Sequence, residues 1–199
     1  ALPILCKILK EDVRTSHIPI ILLTAKDSLQ DKEEGYQVGA DSYLTKPFSA
    51  TLLHSRINNL LESRKRLTER FNTSTPHHNM DEKRALLAES LNKLDNEFIE
   101  KINQLIEARL SSEKIDIGYL ADNMCMSKST LYRKMKALTG LSTNEYVRKI
   151  KMQHAERLLL EGRYNISEVA FRVGINSVVY FRQCFKEEFG VLPSEYLKQ

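Results

Sequence analysis

Met126-Ser-Lys-Ser-Thr-Leu-Tyr-Arg-Lys-Met-Lys136 and Ile175-Asn-Ser-Val-Val-Tyr-Phe-Arg-Gln-Cys-Phe-Lys186 are two versions of one pattern. Ahead of them, Ile117 and Ala121 correspond to Ile166 and Ala170 at an offset of 49 residues. Within and after them, Leu131, Met135, Lys136, Gly140, Glu145 and Tyr146 correspond to Phe181, Phe185, Lys186, Gly190, Glu195 and Tyr196 at an offset of 50, so the second copy has one more residue in its turn. Two short helices and a turn in each copy read as a helix-turn-helix unit. Duplication makes two such units, over about 115–140 and 164–190.

Periodicity assigns the faces. Leu131, Met135 and Leu138 fall at i, i+4, i+7 and predict the buried stripe of the first unit, leaving Lys128, Ser129, Tyr132, Arg133 and Lys136 outside. Phe181, Phe185 and Phe189 predict the buried stripe of the second, with Ser177, Val179, Arg182, Gln183 and Lys186 outside. Such side chains suit a duplex: Arg reads guanine and Gln reads adenine in the major groove, while Lys, Ser and Tyr reach phosphates. The first helix also offers Lys134, making four cations within nine residues. Between the copies, Asn144 to Glu161 reads as one long helix. Val147, Ile150, His154, Leu158 and Leu159 share one face, and Arg148, Lys149, Lys151, Glu156 and Arg157 are expected on the solvent side. A rigid rod of this kind places two reading heads in successive major grooves, about 34 Å apart. Ahead of the units, Asp95 is expected to cap a helix carrying Phe98, Ile102, Leu105, Ile106 and Leu110.

The first sixty residues have a different rhythm. Leu2, Leu5, Ile8 and Leu9 have helical spacing, His17 to Thr24 is a continuous apolar run suited to a strand buried on both faces, and Asp27 to Val38 is a polar helix stopped by Gly39. Ser42 to Thr45 is a second strand, and Ser49 caps a helix with Leu52, Leu53, Ile57, Leu60 and Leu61. This order, α-β-α-β-α, belongs to an α/β domain with a parallel sheet. Two strands are too few for that sheet, so residues 1–62 are expected to show an incomplete one, with the Ile18–Thr24 strand exposing an apolar flank. Leu53, Ile57, Leu60, Arg64, Leu67 and Phe71 form a loose stripe that continues the last helix. Asn72 to Asp81 is polar and reads as a connector, its His77-His78 as a loop pair, and Leu86, Leu87, Leu91 and Leu94 keep a helical period.

Composition excludes other classes. The chain has 199 residues, 42% of them apolar and 28% charged, the balance of a globular protein. Its longest nearly unbroken apolar run, Ile18 to Ala25, is far below the ~20 residues of a membrane span. The net charge of +4 is uneven: residues 114–199 hold 14 Lys and Arg against 9 Asp and Glu (+5), and residues 1–113 hold 16 against 17 (−1). A basic second half points to a polyanionic partner. Cys6, Cys125 and Cys184 are scattered and read as reduced core thiols.

Residues 95–199 resemble the AraC/XylS-type DNA-binding domain, most specifically over Ala170 to Tyr196, where Gly174, Phe181, Phe185, Lys186, Gly190, Pro193 and Tyr196 stand in the family's order. The resemblance implies base readers at Ser129, Tyr132, Arg133, Val179, Arg182 and Gln183. Residues 1–66 resemble the second half of a two-component receiver domain, through Pro19-Ile-Ile-Leu-Leu-Thr-Ala25, Gly39-Ala-Asp-Ser-Tyr43 and Thr45-Lys-Pro-Phe48. This implies that Thr24 and Lys46 are the phosphoryl-sensing hydroxyl and lysine, that Tyr43 is the aromatic switch residue, and that Lys46-Pro47 is a cis peptide. The family's phosphoacceptor aspartate and Mg²⁺ carboxylates are expected upstream of Ala1, so no cofactor is expected in this chain and Mg²⁺ only in an intact receiver.

The expected fold is therefore an α/β fragment, half of a doubly wound parallel receiver sheet over 1–66, then a helical and polar linker over 67–94, then an all-α domain with two helix-turn-helix units over 95–199. The expected function is transcription regulation at the output end of a two-component phosphorelay, without enzymatic activity of its own. Expected partners are double-stranded DNA, a second copy of the chain on DNA, and a histidine kinase in cis or in trans. No membrane contact is expected, and the expected location is cytoplasmic, or beside the inner membrane if the parent is a hybrid sensor kinase. An Ada-type DNA repair enzyme would need clustered cysteines. A protein-interaction adaptor would lack salt-dependent DNA binding.

Overall fold

The structure, a computed structural model, describes residues 2–26, 28–72, 92–111 and 115–197. The 73–91 segment, with His77-His78 and Leu86, Leu87 and Leu91, lies outside the described residues, as do Asp27 and the side chains of Leu67 and Phe71. The receiver-like part runs α1 (Leu2–Glu11), β1 (Ile21–Thr24), α2 (Leu29–Gln37), β2 (Ser42–Thr45) and α3 (Ala50–Asn72). The rest is helical: α4 (Lys93–Glu107), α5 (Ile117–Asn123), α6 (Lys128–Thr139), α7 (Thr143–Leu160), α8 (Ile166–Arg172), α9 (Val178–Phe189) and α10 (Pro193–Tyr196).

β1 and β2 pair in parallel, with Ile21 opposite Ser42 and Thr24 opposite Thr45. Among the described residues they are the whole sheet. The strand is shorter than the apolar run that predicts it. Asp12 to Ile18 is folded into turns, in which the Thr15 and Ser16 amides donate to the Asp12 carbonyl and the Ile18 amide to the Thr15 carbonyl, so that backbone is unavailable for a ladder. Cys6, Leu22 and Ala40 form a small core. α2 crosses this sheet closely: a Cβ on Gly35 would stand 2.8 Å from the Tyr43 ring. The exposed apolar surface lies on α1, at Leu2, Ile4, Leu5 and Ile8, and not on the strand expected to show it: within Ile18–Thr24 only Ile18 is exposed and Leu22 is buried, because the helix packs over the sheet through Cys6. Ser49 Oγ accepts the Leu52 amide to start α3, and Lys46-Pro47 is cis.

The second half has two separate cores. Phe98, Ile102 and Ile106 of α4 pack with Leu120, Leu131, Met135 and Tyr146, whereas Met152, Ala155 and Leu159 pack with Val169, Phe181 and Phe185. α7 belongs to both, its first half to one and its second half to the other. This corrects the expected polar face of α7: Lys149 and Lys151 are buried, Lys149 paired with Glu188 at 3.0 Å and Lys151 donating to the Gly174 carbonyl at 3.2 Å. A connector gripped by a unit at each end has to bury more than one stripe. Asp95 is also corrected: Asn92 caps α4, its side chain accepting from the Asp95 amide, and the Asp95 carboxylate is used elsewhere.

Candidate nucleic-acid interface

Each unit is built from the same local instructions. Ser127 and Ser177 begin α6 and α9, their hydroxyls accepting the amides of Thr130 and Tyr180. Gly140 and Gly190 end them in the left-handed conformation, at φ 73° and 80°. In the turns, the Met126 amide donates to Ala121 and the Ile175 amide to Ala170, both at 2.9 Å. The turns cross the left-handed region at Cys125 (φ 53°) and Gly174 (φ 65°). Cys125 is thus held on an exposed turn, which corrects its reading as a core thiol, while Cys6 and Cys184 are buried as expected. Each unit closes on the preceding helix through its matched tyrosine: Tyr146 donates to Asn103 Oδ1 at 2.9 Å, and Tyr196 donates to Glu156.

The two outer faces carry the expected side chains. Lys128, Ser129, Tyr132, Arg133 and Lys136 are exposed on α6, above a buried Leu131, Met135 and Leu138. On α9, Ser177, Val179, Arg182, Gln183 and Lys186 are exposed above Phe181 and Phe185. Val179 is 76% exposed, which fixes the register of the second face and leaves an apolar group on it. Ser177 is committed to its cap, and the Gln183 side-chain amide donates to Glu187 Oε1 at 3.1 Å. Glu187 also meets Arg148 at 3.7 Å, so one carboxylate of α9 addresses both α7 and Gln183.

One assignment fails. Lys134 is fully buried rather than a fourth surface cation. Its ammonium lies 2.5 Å from Asp95 Oδ1, and burial lowers its pKa while the Asp95 bond works against that shift. Two signals in the sequence point this way. Leu131, Lys134 and Leu138 fall at i, i+3, i+7, and the position fifty residues on is Cys184, which is also buried. Tyr180 and Phe171 are exposed as well, although the apolar patterning does not place them on an outer face.

At the receiver end, Thr24 and Lys46 stand at adjacent strand ends, with the Lys46 amide donating to the Thr24 carbonyl at 2.7 Å. Thr24 Oγ1 accepts the Lys26 amide, and the Tyr43 hydroxyl donates to the Lys26 carbonyl at 3.0 Å. These groups do not fit Mg²⁺: an ammonium and a single hydroxyl are not its ligand set, and the neighbouring Asp31 carboxylate is bound by Lys26 and Ser28. Among the described residues no cluster of His, Cys, Asp or Glu is arranged to hold a metal, and no helix is long and apolar enough to cross a membrane.

Residues 120–199 match the family model described as a helix-turn-helix domain, and residues 4–58 match the response regulator receiver domain. The chain is 35% identical over 192 residues to Histidine kinase P4 of Formosa agariphila, which covers 96% of this chain and 14% of that protein. It is 32% identical over 99 residues to the DNA-binding dual transcriptional regulator Rns of Escherichia coli, covering 50% of this chain and 37% of that one. It is 53% identical over 58 residues to the heme response regulator HssR of Staphylococcus saprophyticus, covering 29% and 25%. The chain thus spans between 14% and 37% of the length of these relatives.

Proposed function

From a chain that joins a response-regulator receiver segment to an AraC-type helix-turn-helix domain, we infer a sequence-specific DNA-binding transcription regulator, the output part of a two-component phosphorelay protein. The observation that carries the reading is the matched pair of exposed faces on α6 and α9, capped alike and mounted on one helix. In this reading α6 and α9 enter successive major grooves. Arg133, Arg182 and Gln183 read bases, Ser129, Tyr132 and Val179 complete the reading surface, and Lys128, Lys136, Ser177 and Lys186 lie along the phosphates. The chain regulates rather than catalyses. A second copy on the same operator and a histidine kinase upstream are its partners, and its compartment is the cytoplasm.

A histidine kinase relative that matches nearly the whole of this chain within a small part of its own length supports one refinement. The parent is a hybrid sensor kinase with its DNA-binding domain in cis, which would hold this chain beside the inner membrane. The test is titration of Arg133→Ala and Gln183→Ala against cognate and scrambled duplex. Arg133→Ala is expected to cost about 1–3 kcal/mol on the cognate site alone, as the loss of a bidentate guanine contact. Gln183→Ala is expected to relax preference at one base. If both bind like the parent the faces are misassigned, and if the parent binds no duplex the reading fails.

A further inference from the structure

Lys134 occupies a position that the architecture does not require to be charged. In the second unit the matching residue is Cys184, 2% exposed and packed with Phe181 and Phe185. In the first unit the stem of Lys134 passes the Phe98 ring, with Nζ 4.8 Å from its centroid, and the ammonium emerges on the side of α6 away from the reading face. An ammonium has three N–H donors. Here they meet three acceptors: the Val13 carbonyl at 2.5 Å, Ser16 Oγ at 2.9 Å and Asp95 Oδ1 at 2.5 Å. Two of the three belong to the receiver segment.

The surroundings close the knot. Ser16 is fully buried and donates its own hydrogen to Asp95 Oδ1 at 2.6 Å. Asn92, the cap of α4, donates to the Ser16 carbonyl at 3.3 Å and to Asp95 Oδ2 at 2.9 Å. Arg64 of α3 donates to the carbonyl of His17, whose side chain is buried. The Asp12 to His17 loop therefore rests on α4 and α6 together.

We propose that Lys134 is a tether that fastens the first reading helix to the receiver loop of residues 12–17, so that the placement of α6 on DNA follows that loop. The physical reason is the cost of a buried charge. If the loop moves away, the ammonium keeps Asp95 and loses its other two acceptors, and a partly unpartnered buried charge is strongly disfavoured. α6 must then rotate to bring Lys134 to water or follow the loop. The loop enters β1 at the end opposite Thr24, so the tether and the phosphoryl-sensing residues lie at the two ends of one four-residue strand. Among the described residues the second unit has no such link to the receiver segment at Cys184. Control reaches the first head and leaves the second as a fixed anchor. The consequence for DNA reading rests on the function proposed above; the tether itself does not.

The test is amide hydrogen exchange on the chain without DNA. The amides of Thr15, Ser16 and Ile18 are hydrogen-bonded within the loop and report on it. In the double variant Lys134→Met/Asp95→Asn, which removes both charges, these amides and those of α6 are expected to exchange at least about tenfold faster together. Ser16→Ala, which keeps both charges, is expected to produce the same paired response from the receiver side, and it carries the test if the double variant does not fold. Loosening of α6 with parental protection at residues 15–18 would make Lys134 a local core residue and overturn the proposal, as would no change at either place. A parent that binds no duplex would remove the regulatory consequence, while paired loosening would still establish the tether.

Discussion

Replacing Lys128 and Lys136 together by Gln should flatten the salt dependence of DNA binding, and removing the Lys134 charge should not. Lys128 and Lys136 are exposed on the outer face of α6, while Lys134 has no exposed surface and its three donors are taken. A lysine against a phosphate adds about 0.9 to the slope of log K against log salt. Losing two should lower the slope by about 1.8. Over a fourfold rise in salt, from about 50 to 200 mM, that removes a factor of about 12 from the parent's loss of affinity. The loss at low salt should be the same on cognate and scrambled duplexes, because phosphates carry no sequence. The comparison is Lys134→Met/Asp95→Asn, expected to keep the parental slope whatever it does to absolute affinity. Fluorescence anisotropy at four or five salt concentrations resolves a slope change of this size. A Lys134 variant that lowers the slope by about one unit would place that ammonium on a phosphate and refute the burial argument.

Phe185→Ala empties the centre of the second core, where the ring meets Phe189 at 4.5 Å, Tyr196 at 5.6 Å and Phe181 at 5.9 Å, and it should cost about 3–5 kcal/mol. Because the cores are separate, exchange should accelerate in α8 and α9 and hold in α4 to α6; equal loosening of both would refute the division. His17 is buried, and its pKa is lowered to about 4, chiefly by burial and further by Lys134, Arg64 and Lys10 against the opposing pull of Asp95. Its neutral form is the one the fold accepts, so its contribution is complete above about pH 6.5 and falls by up to about 3 kcal/mol as pH drops to about 4. Thermal melts of the parent and His17→Gln across that window should converge toward the acid end, and parallel curves would refute it.

The helix-turn-helix half was legible because its instructions are local. Ser caps, terminal glycines and the 3.6-residue stripes of Leu131 and Phe181 all act within a few residues, and the duplication let each copy check the other. The receiver-like half was legible as an order of elements, and its strand as an apolar run, but not where β1 starts, since the turn at Asp12 to Ile18 is set by backbone hydrogen bonds that apolarity does not encode. Asn92 outcompeted Asp95 as a cap for a reason no window reveals: the Asp95 carboxylate is spoken for by residues 79 positions before it and 39 after it. Lys149 and Lys151 looked like a solvent face because lysine usually is one, and only the packing of two units on one helix buries them. The exposed faces of α6 and α9 follow from local periodicity, and the junction behind them does not, because the bonds that join Lys134, Ser16 and Asp95 are long-range.

α7 also sets an interval. Tyr146, Val147 and Ile150 belong to one core and Met152, Ala155 and Leu159 to the other, so the handover occurs within a single turn. Each residue added there would advance the second head by about 1.5 Å and swing it by about 100°. No side-chain adjustment absorbs such a swing, and a head so turned would face away from the groove its partner occupies. Substitutions on α6 and α9 can change which bases are recognised, one head at a time. In the function proposed above, the phase between the two half-sites is written in the count of residues along α7, and an operator would have to keep that spacing whatever its letters.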